Sequence, residues 1–201
     1  MFRYLYGQDL GARQWSWGGT NYDKVLVENP VPANLETWSV GQSGLDFKES
    51  AAFTNTEKAK VIDAEKFVLV WPHELSRPVV GVEVSAMCSL RADGSHKTYL
   101  DEVVARLKRV DKDGNAALVT TLNYDFDTSP EYTADGWSDM VGVKMNENLD
   151  YWELPRDETL VLEVDVYAHT VADATNQKVR LHHARGSSEL VVVLVEEQRR
   201  R

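Results

Sequence analysis

The chain has one cysteine, Cys88, and one isoleucine, Ile62. It has no apolar run long enough to cross a membrane. A single thiol excludes an intrachain disulfide, so nothing covalent braces the fold. The longest unbroken apolar stretch, Leu190–Val195, falls far short of the roughly 18 residues a membrane helix needs. The first residues, MFRYLYGQDLGARQ, lack the apolar centre of a secretory signal. The expectation is a soluble protein, intracellular or assembled inside a cell. Basic side chains are also scarce, 22 against 32 acidic, for a net charge of −10. That argues against nucleic acid as a partner, because phosphate binding needs a basic face. Nucleophile elbows, P-loops, dinucleotide glycine motifs and HExxH pairs do not occur in the sequence. The expectation is a protein without catalytic residues, cofactor or metal.

What is present is an ordinary globular balance of 43% apolar and 27% charged residues over 201 positions, enough for one large domain with a real core. Valine outnumbers isoleucine 26 to one, the bias a G/C-rich genome produces. The acidic surplus also suits a salty cytoplasm, and it keeps copies apart in solution.

Residues 1–60 read as an extended arm. They hold Gly7, Gly11, Gly18, Gly19, Gly41 and Gly44 with Pro30 and Pro32, and only short strand-like pieces such as Lys24–Glu28. Trp15, Trp17 and Trp38 lie here; large rings in an irregular segment usually anchor it to a surface, so they are candidate interface residues. Thr54 and Glu57 have the spacing of a helix cap. Residues 61–201 read as β. Val80, Val82, Val84 and Ala86 share one face of a strand; Val103, Ala105 and Leu107 oppose Arg106 and Lys108; Leu160, Leu162, Val164 and Val166 alternate with Glu163 and Asp165. About eight short strands separated by turn signals predict an all-β, antiparallel β-sandwich, jelly-roll-like, with the arm attached.

Several constellations invite a chemical reading. Asp111–Asn115 (DKDGN) begins like a calcium loop, but that loop needs glycine sixth and glutamate twelfth. Here Gly114 is fourth and Leu122 twelfth, so a hairpin turn is favoured. His182 and His183 point to opposite faces of a strand and cannot chelate one ion, although either could meet His169 across strands. Cys88, among Val84, Ala86 and Leu90, reads as a small buried hydrophobe. The acidic, aromatic loop from Asp125 to Trp137 offers Asp125, Asp127, Tyr132 and Trp137 as a possible glycan site, with carboxylates beside stacking rings. A solvated loop anchored by its aromatics is favoured over that site.

The arm, the stretch Leu154–His169 (LPRDETLVLEVDVYAH) and the closing SSELVVVLV together resemble the β-sandwich and jelly-roll structural proteins of tailed-virus virions. Carbohydrate-binding modules share part of this pattern. The resemblance implies a capsid, turret or decoration component in the virion, assembled in the host cytoplasm. It would be a homo-oligomer, often a trimer, whose partners are its own copies and other virion proteins.

In a half-buried strand every second residue is polar, yet Leu190, Val191, Val192, Val193, Leu194 and Val195 are all apolar. The expectation is an interior strand covered on both faces, by the core and by the arm or a second subunit. Val192→Lys and Val193→Lys load opposite faces with charge. Both are expected to lose solubility or assembly in melting and light-scattering measurements; parental behaviour of either shows one face open to water.

Overall fold

The computed structural model describes residues 15–17, 20–27, 31–32, 47–69, 79–153, 155, 157–182 and 189–195; for 15–32, 68–69, 151 and 189–195 it describes the backbone alone. Fourteen strands occur in chain order: β1 (Trp15–Trp17), β2 (Thr20–Val27), β3 (Val31–Pro32), β4 (Phe47–Glu49), β5 (Ala59–Leu69), β6 (Val79–Asp93) and β7 (Thr98–Val110). They continue as β8 (Ala116–Asp125), β9 (Glu131–Tyr132), β10 (Asp135–Trp137), β11 (Val141–Trp152), β12 (Thr159–Thr170), β13 (Lys178–His182) and β14 (Glu189–Val195). Among the described residues there is no helix, and so none long and apolar enough to cross a membrane.

All pairings are antiparallel and form two sheets. In the first, β6 is central. One of its edges carries β14 and then β13 in tandem, with β2 and β1 beyond β14 and β4 beyond β13. Its other edge carries β11 and then β10. The second sheet runs β3-β5-β12-β7-β8, with β9 continuing the line of β8 along β7. Take the eight long strands β2, β5, β6, β7, β8, β11, β12 and β14 in chain order. The first, eighth, third and sixth lie side by side in one sheet; the second, seventh, fourth and fifth in the other. That interleaving is the connectivity of a jelly roll, an eight-stranded double sheet.

The core lies between the sheets. Val82, Val84, Ala86, Cys88 and Leu90 of β6 face Leu100, Val103, Ala105 and Leu107 of β7 and Leu160, Leu162, Val164 and Val166 of β12, all 4% exposed or less. Alternation produces this layer, since side chains one apart leave opposite faces of a strand. Cys88 is fully buried, and burial pushes its thiol up to about 12.

Three readings from the sequence are corrected. Val80 does not share the inner face with Val82: the register of β14 steps from Gly81 to Val79 and skips Val80, so Val79 is the buried residue. This is a bulge, one extra residue that flips the side chains beyond it. Thr54–Glu57 forms no helix. Phe53 N–H donates to Gln177 O at 3.0 Å and Asn55 O accepts from Thr170 N–H at 2.8 Å, so the backbone there is committed to the sandwich. The loop from Asp125 to Gly136 contains β9 and β10 and carries the chain from the second sheet to the first. The DKDGN segment is the β7–β8 hairpin turn; Asp111 accepts the amides of Asp113 and Asn115, and Gly114 has φ +84.

A second bulge lies in β5. Val164 pairs with Glu65 and Val166 with Ile62, so Asp63 and Ala64 together face the single residue Asp165. Ala64 takes φ 46, in the left-handed region that costs an L residue about 1–2 kcal/mol. Ala64→Gly is expected to hold or raise the melting temperature. Ala64→Val, β-branched at positive φ, is expected to lower it.

Candidate functional site

The outer face of the second sheet concentrates the charge. Glu163 and Asp165 project from β12, away from the core, where alternation alone would leave them in water. Asp165 is instead 0% exposed and Glu163 7%. The cover comes from the strands on either side. Asp165 Oδ1 accepts the bulged Ala64 N–H at 2.7 Å. Its Oδ2 accepts Arg106 from β7 at 2.6 Å and Lys60 from β5 at 3.0 Å. Glu163 receives Lys108 at 2.6 Å, Arg106 at 3.4 Å and Lys66 at 3.7 Å. One row further, Lys58 bridges the buried Glu102 and the exposed Asp125, and Lys58 and Lys60 both lie over the Tyr167 ring. Long aliphatic stems spread across the sheet with their charged ends above the carboxylates. Burial pushes the Asp165 carboxyl up, but the bonds from Arg106, the Ala64 amide and Lys60 outweigh it and hold the group below the usual carboxylate range. Glu163 is lowered in the same way: burial opposes, while Lys108, Arg106 and Lys66 prevail.

A second cluster lies on the first sheet. The Arg180 guanidinium is sandwiched between the rings of Phe47, 3.9 Å to the centroid, and Trp137, 3.6 Å. Arg180 also pairs with Glu49 at 2.9 Å, and Glu49 binds Lys178 at 2.7 Å. This staples β4, β13 and β10 together. Beside it, His182 Nε2 is 2.9 Å from the hydroxyl of Ser89, which is only 4% exposed. A third cluster joins β7, β12 and the loop after β8. Asp101, skipped where the β12 register steps from Glu102 to Leu100, meets His169 Nδ1 at 2.8 Å and accepts the Ser129 hydroxyl at 2.7 Å. The His169 ring stacks on Tyr99, centroids 4.4 Å apart and 3° from parallel.

The residues singled out in the sequence distribute as follows. Asp125 ends β8 and binds Lys58, and Asp127 is exposed in the following loop. Tyr132 of β9 donates its hydroxyl to the Trp137 carbonyl at 3.0 Å, so these two are brought together. One face of the Trp137 ring is occupied by Arg180. Trp15 and Trp17 lie in β1, whose backbone pairs with β2; their side chains, and Trp38 entirely, lie outside the described residues. Leu190–Val195 form most of β14, with β6 on one edge and β2 on the other, and their side chains also lie outside the described residues. His169 meets Asp101. Among the described residues no group of three His, Cys, Asp or Glu side chains is placed to hold a metal. An open cleft of about 430 Å³ lies between β8 and β11, lined by Arg109, Leu118, Val119, Asn148, Leu149, Asp150 and Trp152. The buried charge grid was missed in the sequence; opposite charges at facing positions of β5, β7 and β12 are the signal that locates it.

Fold and side chains together define a jelly roll with an internally paired charged layer on one outer face. No family model matches the chain, and no curated protein matches it. Among solved structures it is similar to a CocE/NonD family hydrolase from Staphylococcus aureus, with TM-score 0.42 and 13% identity, covering 74% of this chain and 36% of the hydrolase. It is also similar to the enzymatically active domain of tailspike protein 4 from bacteriophage CBA120, with TM-score 0.29 and 10% identity, covering 84% and 21%. A third likeness is to infectious bursal disease virus, Gx strain, with TM-score 0.26 and 10% identity, covering 92% and 44%. The chain thus spans about a third of the hydrolase and less than half of either viral chain. Similarity at this level places it in no family.

The lowered Asp165 and Glu163 carboxyls predict acid sensitivity with a definite sign. Groups whose folded pKa is depressed add stability above their unfolded value, near pH 4, and that stability is lost as pH falls through the folded value. Asp165→Asn is expected to melt lower at pH 7 and to show a flatter fall in stability between pH 5 and 2 than the parent. Asp165→Ala, which leaves Arg106 facing no carboxylate there, is expected to cost about 3–5 kcal/mol by chemical denaturation.

Proposed function

We propose that this chain is a structural protein of a virion, a jelly-roll subunit that builds or decorates a shell as a symmetric homo-oligomer. Its partners are further copies of itself and other virion proteins, and its location is the particle. The observation that carries the reading is the interleaved order of the eight long strands, the double-sheet jelly roll that viral shells use. The link from fold to role is one of analogy. The polar clusters support a structural rather than catalytic role. Ser129 donates its hydroxyl to Asp101 and not to His169, and Ser89 is buried beneath His182.

A second reading, a carbohydrate-binding module, is favoured by one feature. Tyr124 is 39% exposed and stands edge-on to Phe126, centroids 4.8 Å apart, at the mouth of the acidic loop. Such rings offer faces to sugars.

Light scattering on the full chain across a range of concentrations, with glycan-array and calorimetric titrations with and without calcium, separates the two. The shell reading expects an oligomer that binds no glycan. A strictly monomeric protein overturns it. Glycan binding abolished by Tyr124→Ala or Trp137→Ala establishes the second reading in its place.

A further inference from the structure

We infer that β8 is a self-pairing edge, joining two copies of the chain antiparallel about a two-fold axis through Leu122. The inference rests on the assembly reading above and names one surface of that assembly. Among the described strands β8 is hydrogen-bonded on one side only, to β7 from Glu102 to Val110. A strand with one free edge is a template for another chain, and soluble proteins normally guard it with charge or proline. β11, at the corresponding margin of the other sheet, is guarded by Lys144, Glu147 and Asp150. β8 carries a single charge, at its last residue Asp125, which binds Lys58; Ala116–Tyr124 contains no charge, proline or glycine. Its one irregularity is the bulge at Val119, where the register steps from Leu107–Thr120 to Lys108–Leu118. Beyond the bulge, Thr120–Asp125 is regular.

A second copy fits this edge by pattern and by charge. With the axis at Leu122, Thr121 faces Asn123 of the other copy and Thr120 faces its Tyr124. Leu122 pairs with Ala105 on the core side and is 2% exposed, whereas Thr121 pairs with Arg106 on the outer side and is exposed. The alternation therefore matches across the axis: Thr120, Leu122 and Tyr124 continue the inner face, and Thr121 and Asn123 the outer. Pairing also covers much of Tyr124, one of three large apolar side chains exposed among the described residues. Two molecules that each carry −10 repel along their acidic surfaces. The uncharged stretch Ala116–Tyr124 is where they approach at least cost.

Disulfide trapping tests this directly, because Cys88 is buried with its thiol pushed up to about 12 and stays silent under mild oxidation. In the full chain, Thr121→Cys/Asn123→Cys is expected to give a covalent dimer on non-reducing gels. Each single variant is expected to give little, because its like partner lies on the diagonal, too far for good disulfide geometry. Mixing the two single variants is expected to restore the dimer. As a second measurement, Thr121→Lys/Asn123→Lys should lower the mass seen by light scattering without lowering the melting temperature. Failure of the mixture to cross-link, or an oligomer of unchanged mass in the lysine variant, overturns the β8 contact while the assembly reading stands. A parent protein that is monomeric throughout overturns both.

Discussion

A carboxylate removed entirely from water is tolerated only if donors replace the solvent, and Asp165 receives three. They come from both flanking strands, so one side chain on β12 fixes β5 and β7 at once. The bulge of β5 presents the Ala64 amide to that carboxylate. Arg106 then passes the constraint to Glu163, which gathers Lys66 and Lys108. The middle of the second sheet is thereby locked in register on its outer face, as the apolar layer locks it on the inner. β8 inherits a well-supported neighbour in β7.

The strands of the sandwich were legible because period-two patterns in β6, β7 and β12 are local facts. The expected interior strand is found, since β14 has hydrogen-bonded neighbours on both edges, while the side chains on its two faces lie outside the described residues. What local pattern does not contain is the single-residue insertion. Val80 and Val82 look equivalent in the sequence, and only the pairing partners reveal that the register skips one of them. Asp165 was misleading for a related reason. It sits where a solvated residue should, and its burial depends on Arg106 and Lys60, whose proximity is set by sheet order. Of the loop chosen as a glycan candidate, Asp125, Asp127, Tyr132 and Trp137 were located in chain but not in space. Trp137 reads as a free ring until β13 brings Arg180 against it.

Charge is distributed unevenly in consequence. On the second sheet Lys58, Lys60, Lys66, Arg106 and Lys108 pair with Asp63, Glu102, Asp125, Glu163 and Asp165, so the layer is dense in ions yet neutralised within itself. Pairs whose carboxylates are buried are screened little by salt. Part of the acidic surplus that gives the chain its net charge resides in turns and loops, at residues such as Asp113, Asp127 and Asp139, where salt screens it readily.

The pairing of β2 with β14 sets a timetable for folding. These strands are neighbours in the sheet, yet everything from residue 28 to residue 188 lies between them. During synthesis β2 emerges early with only the short β1 beside it, and meets its other neighbour when β14 leaves the ribosome. Contacts of such sequence separation make a domain fold slowly, since the loop must close before the contact rewards it. The second sheet, built from β5, β7, β8 and β12, can close first and offer a half-formed sandwich to the late strand. Placing the most apolar strand after all its neighbours shortens the time it spends exposed.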